Sequence, residues 1–230
     1  MADVADAVVI GGGVNGASTA WHLAKRRAGR VVLVEKSGIG SGATSWSSGI
    51  VRLHYSLETL ARMAWYGRQM FETWGDSVGG DSGFHRTGFL VLLGEGEVEG
   101  GRAVVAMQRR IGISARFIDV EEIAEVEPHL DPSGVAAGTY EPESGFADGL
   151  STATAFADAA RREGAEIRIG PVVTGIASGG EGVTRVLTDR GAIETRTAVV
   201  AAGYRSAGLL GPLGVDLPIR PIRHAIAIVG

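Results

Sequence analysis

The 230-residue sequence contains no cysteine. That excludes disulfides, thiol nucleophiles, thiolate metal sites and any cofactor attached through cysteine, and it permits a reducing compartment, so a cytoplasmic location is expected. Lysine is confined to Lys25 and Lys36. With a net charge of −4 and no basic block, a nucleic-acid partner is disfavoured. No apolar run approaches the roughly 18 residues of a membrane span. The start, Met1 to Asp6, is acidic and unlike a secretory leader. His85 and His129 stand far from other ligand types, and no metal site is expected.

What is abundant is glycine, 36 residues, about twice its usual share. The most informative cluster lies between two apolar runs. Val8-Val9-Ile10 leads into Gly11-Gly12-Gly13-Val14-Asn15-Gly16, then a helical stretch to Arg27, then Val31 to Val34 and Glu35-Lys36. Strand, glycine turn, helix, strand and acidic stop make a βαβ unit for a dinucleotide. Gly11 serves the tight turn, Gly13 lets backbone approach a pyrophosphate, and Gly16 lets the helix sit close to the sheet. The helix N-terminus offers free N–H groups to phosphate, and Glu35 can accept from ribose hydroxyls. An acid there also disfavours the 2′-phosphate of NADP.

The stretch Ser37 to Gly49 is too polar and glycine-rich for a regular element and reads as a long functional loop. Further on, Glu58 to Trp74 has helical spacing, and Val98 to Ile111 is a helix with Arg109 and Arg110 at its C-terminal end. Asp119 with Glu122 makes a capping box. The spacing predicts a helix over Ser151 to Glu163, a hairpin around Asp189-Arg190-Gly191, and an apolar strand over Ala198 to Ala202.

The early start of the unit, Glu35-Lys36, and Gly42-Ala43-Thr44-Ser45 running into Ser48-Gly49-Ile50-Val51-Arg52 resemble the FAD-dependent amine and amino-acid oxidoreductases. That family includes D-amino-acid oxidase, sarcosine oxidase, glycine oxidase and dimethylglycine dehydrogenase. Glu141 to Gly149 and Val199 to Gly203 extend the resemblance. It implies an α/β fold: a Rossmann-like FAD-binding domain of glutathione-reductase type with an inserted α+β substrate domain, truncated. The FAD domain is expected at 1–75 and 145–215, and a partial substrate domain at 76–144 and 216–230.

The resemblance places FAD on Gly11, Gly13, Val14, Asn15, Gly16, Glu35 and Lys36. It runs Ala43, Thr44, Ser45, Ser48, Gly49 and Ile50 along the ring system, sets Val173 beside the adenine, and brings Ala202 and Gly203 to the dinucleotide. Where some members carry a flavin-linking histidine this chain has Trp46, which implies non-covalent FAD. Arg52 is the candidate for a bidentate grip on a substrate carboxylate, with His54 and Tyr55 as weaker pocket candidates. The implied reaction oxidises a C–N bond of an amine or amino acid of sarcosine, glycine or D-amino-acid type. Hydride passes to flavin N5, the imine hydrolyses, and oxygen or a redox carrier takes the electrons.

Members run well past residue 230, and neither lysine is placed to assist oxygen. Three options stay open: a fragment, a split or truncated gene product, or a subunit completed by a second chain that supplies the missing half. A non-catalytic FAD-binding fragment or subunit is one alternative. A different FAD enzyme such as a hydroxylase, or an NAD-dependent dehydrogenase, is another; Thr44 to Arg52 argues against these, since a nicotinamide enzyme has no need of that loop.

Overall fold

The computed structural model describes residues 3–180 and 182–222. The described residues divide into two compact units: those within 3–48, 78–82 and 148–222 form the first, and 49–77 with 83–147 the second.

In the first unit, β1 (Ala7–Ile10), α1 (Val14–Lys25), β2 (Val31–Glu35) and a one-turn α2 (Ala43–Trp46) come in order. In the second follow β3 (Ile50–Val51), α3 (Glu58–Glu72), α4 (Trp74–Ser77), β4 (Phe89–Leu93), α5 (Val98–Arg110), β5 (Arg116–Ile118), α6 (Val120–Val126), β6 (Ala137–Glu141) and β7 (Gly145–Phe146). The chain then returns to the first unit with α7 (Gly149–Arg162), β8 (Glu166–Ile169), β9 (Val173–Gly179), β10 (Gly182–Thr188), β11 (Gly191–Glu194), β12 (Ala198–Val200) and α8 (Ser206–Leu210).

The first unit is built on a parallel sheet in the order β12-β1-β2-β8. Both faces of β1 and β2 are covered, so these strands read as unbroken apolar runs and not as alternation. Val8, Ile10, Val32 and Val34 pack against Ile176, Val186 and Ile193 of the antiparallel sheet β11-β10-β9. Their neighbours Val9 and Leu33 face the other way. There α1 packs on β1 and β2, and α7 packs on α1. The helices meet through small side chains: Ala17, Ala20 and Ala24 on α1, and Ala153, Ala157 and Ala160 on α7 are all buried. Trp21 and Phe156 close the pair with ring centroids 5.5 Å apart.

The second unit holds the antiparallel sheet β4-β6-β5 and the short pair β3-β7. The capping box forms as expected: Asp119 Oδ1 accepts from Glu122 N–H at 2.9 Å, and Asp119 N–H donates to Glu122 Oε2 at 3.3 Å.

Three expectations differ from the structure. Residues 43–46 form a helical turn, because Ser45 N–H and its hydroxyl both reach back to Gly40 O (3.1 and 2.7 Å) and give the polar stretch local partners. The boundary expected at residue 75 falls at Gly49, because β3 pairs with β7 and carries α3 into the second unit. The segment expected in the substrate domain from residue 216 groups with the first unit up to residue 222. Residues 223–230 lie outside the described residues.

Candidate functional site

The glycine turn closes at backbone distance. A Cβ at Gly16 would stand 1.8 Å from Gly11 O, and one at Gly11, whose φ is +107°, would stand 2.5 Å from Ala201 O. Neither position accommodates a side chain without moving main chain. Gly11 is thereby held against the end of β12, next to Ala202 and Gly203, and Ala201 N–H donates to Ile10 O at 2.8 Å. Gly203 has φ +59° and opens a 3₁₀ turn capped by Ala202.

The opposite rim is set by Glu35. Its Oε2 accepts from Gly12 N–H at 2.7 Å and its Oε1 from Ser37 N–H at 2.8 Å. The carboxylate is thus fixed at the tip of β2 beside the turn, while Lys36 points into solvent. A third wall comes from α2. Thr44 Oγ1 accepts from Val14 N–H at 3.1 Å, and a Cβ at Gly13 would meet the same hydroxyl at 3.1 Å. Thr44 O lies against Gly149 at the start of α7, where a Cβ would stand 2.3 Å from it.

The N-terminus of α1 has Gly13 as its cap, no side-chain cap of its own and no acid in its first turn. Thr44 Oγ1 takes the Val14 N–H, which leaves the N–H groups of Asn15 and Gly16 in the first turn for a phosphate. A close-approach turn, an uncapped helix end and a pre-set carboxylate fit the pyrophosphate and ribose of FAD.

Most of the expected first-unit cofactor residues therefore come together around one turn. Asn15, Ala43, Ser45 and Ser48 are exposed along its margin. Val173 opens β9, paired with Thr188, three residues beyond Gly170, whose N–H donates to Glu35 O at 2.8 Å. Gly49 and Ile50 belong to the second unit. There Ala147 N–H donates to Gly49 O at 2.9 Å, and Ile50 pairs with Phe146.

Arg52, His54 and Tyr55 also lie in the second unit and contact one another. The exposed Arg52 guanidinium donates to His54 O at 3.1 Å and lies 4.8 Å over the Tyr55 ring. No carboxylate pairs with it among the described residues. His54 Nδ1 is 3.2 Å from Thr139 Oγ1 and 4.0 Å from the buried Glu141. Burial holds the imidazole below its ordinary pKa; Glu141 opposes this and Arg52 reinforces it. Sequence reasoning missed the Thr44–Val14 bond, Gly149 and Glu141. Only Gly149, following the helix-capping Asp148, carried a local signal.

No helix among the described residues is long and apolar enough to cross a membrane. Over 98% of its length the chain is 29% identical to mitochondrial dimethylglycine dehydrogenase of Rattus norvegicus, covering 26% of that protein. It is 30% identical to sarcosine oxidase subunit beta of an Arthrobacter species, covering 94% of this chain and 55% of the relative. Among solved structures, L-proline dehydrogenase from P. horikoshii superposes with a TM-score of 0.86 at 30% identity, over 96% of this chain and 58% of that one. The chain thus spans between a quarter and somewhat over half of the length of these relatives. Residues 6–230 match the family described as FAD dependent oxidoreductase, and the chain belongs to that family.

Proposed function

We propose that the protein binds FAD without a covalent link and serves the oxidation of a C–N bond in an amine or amino acid. The observation that carries this reading is the turn itself: Gly11 and Gly16 at backbone contact, with Glu35 fixed to Gly12 N–H. The names of the relatives, dimethylglycine dehydrogenase and sarcosine oxidase subunit beta, support the substrate class. When bound, FAD supplies the two-electron acceptor.

The chain's own residues bind and orient. Gly13, Asn15 and Gly16 present backbone to the pyrophosphate; Gly11, its N–H bonded to Val34 O, makes the turn, and Val14, its N–H held by Thr44 Oγ1, opens the helix beside it. Glu35 takes the ribose, with Lys36 beside it. Ala43, Thr44, Ser45, Ser48, Gly49 and Ile50 line the cofactor with backbone and hydroxyls. Val173, Ala202 and Gly203 border the dinucleotide at the adjoining strand ends. Trp46 stands in place of a linking histidine. Arg52 grips the substrate carboxylate by its planar fork, with His54 and Tyr55 beside it. Oxygen or a redox carrier takes the electrons on.

A second reading is favoured by one relative's being named a subunit: an FAD-binding component that works with another chain. The visible absorbance of the purified protein, before and after acid precipitation, tests both. Flavin released to the supernatant, followed by turnover of N-methyl or D-amino acids, supports the enzyme. Flavin without turnover supports the component. A colourless protein that takes up no added FAD overturns both.

A further inference from the structure

The second unit buries a carboxylate without a lysine or arginine against it among the described residues. Glu141, at the end of β6, is 1% exposed. Its Oε2 accepts from Leu53 N–H at 2.8 Å and from the Ser144 hydroxyl at 2.9 Å, and its Oε1 accepts from Gln108 Nε2. Gln108 is buried as well, and donates from the same Nε2 to Leu53 O at 3.0 Å. Leu53 is thus held at its N–H by β6 and at its C=O by α5. Thr139, two residues before Glu141 and so on the same face of β6, reaches the His54 imidazole.

A buried carboxylate is costly unless hydrogen bonds satisfy it, and an apolar residue would fill the space at lower cost. Packing alone does not call for it. What Glu141 adds is a grip on the backbone of the segment that carries Arg52.

We propose that Glu141 is a positioning residue: with Gln108 it clamps Leu53, and so fixes Arg52 to Tyr55 with the Arg52 guanidinium presented to a substrate carboxylate. This rests on the reading of Arg52 given above. The charged groups facing His54 are Glu141 from β6 and Arg52 from its own segment; Thr139 beside them is neutral. Loss of the Glu141 charge therefore lowers the His54 pKa further.

The test uses the full chain as purified, in wild type, Glu141→Gln and the milder Ser144→Ala. Nuclear magnetic resonance follows Leu53 amide exchange, the His54 titration and the response of Arg52 Nε–H to acetate. In Glu141→Gln, Leu53 exchange is expected to accelerate about tenfold or more, the His54 pKa to fall, and acetate binding at Arg52 to weaken at least about threefold. Ser144→Ala keeps the Glu141 charge; it is expected to speed Leu53 exchange and weaken acetate binding by less while leaving the His54 titration in place, so the result stands even if Glu141→Gln fails to fold. An acetate response in the wild type that persists unchanged in the variants overturns the proposal alone, and so does unchanged Leu53 exchange. A wild-type Arg52 that ignores acetate overturns the reading of Arg52, and the proposal with it.

Discussion

The two units bury different things. In the first, the buried polar side chains are small hydroxyls: Ser82, Thr152, Thr195 and Ser206. In the second they include Arg68, Gln108 and Glu141. The first unit is assembled from apolar strands, alanine faces and glycine contacts, where shape decides and each choice is local. The second is assembled around long-range polar pairs. Arg68, for example, donates to Glu143 O, pairs with Glu72 at 2.9 Å and leaves Nη1 buried without a partner. Shape-driven packing is sensitive to added atoms; polar packing is sensitive to lost partners.

The largest expected effect tests the first half of that contrast. Gly16→Ala forces a Cβ to 1.8 Å from main chain, and is expected to cost about 3 kcal/mol or more and to abolish flavin retention. Chemical denaturation and flavin content check it; a stable variant that still holds FAD would show the turn to be plastic. Next, Leu33→Ala and Leu53→Ala each empty a fully buried site, one per unit. Each is expected to cost about 2–5 kcal/mol. If the units unfold separately, calorimetry will show each variant lowering a different transition; a single shared transition would break the comparison. Asp119→Ala removes a helix cap in the second unit and is expected to cost about 1 kcal/mol, read as a shift in denaturation midpoint.

The smallest effect is on pH. His22 in the first unit and His54 in the second are both held below their ordinary pKa, chiefly by burial. The unfolded chain binds those protons more readily, so stability present above about pH 6.5 is lost as the pH falls toward the folded values. Melting temperature is expected to drop as the pH falls below about 6.5, and His22→Gln should flatten that slope for the first unit while leaving the second unchanged.

The same contrast governs what was legible in the sequence. The βαβ unit, the Asp119 cap and the hairpin at Asp189 to Gly191 were readable because spacing and turn chemistry determine them within a few residues. The rim of the candidate site formed by the glycine turn and Glu35 was readable for the same reason. The helical turn at Ala43 was not, because its bonds run back to Gly40 from residues with weak helical preference. Nor was the boundary at Gly49: β3 is two residues long, and its partner β7 lies far along the chain. Nothing local to Glu141 marks it as buried. Its burial depends on Gln108 and Leu53, which no local pattern connects to it.

One consequence follows from the bond between Gly49 O and Ala147 N–H. The second unit begins and ends at that contact, so its two ends are within bonding distance of each other. Insertions succeed where entry and exit lie together, because the host need not stretch to receive them. The short return through residues 78–82 is the exception, and it is tied to the host by Ser82 O, which accepts from Asp148 N–H and from the Thr152 hydroxyl (both 3.1 Å). A grafting experiment that exchanges this unit for another should therefore cut at Ser48 and Asp148 and keep residues 78–82 as a splint.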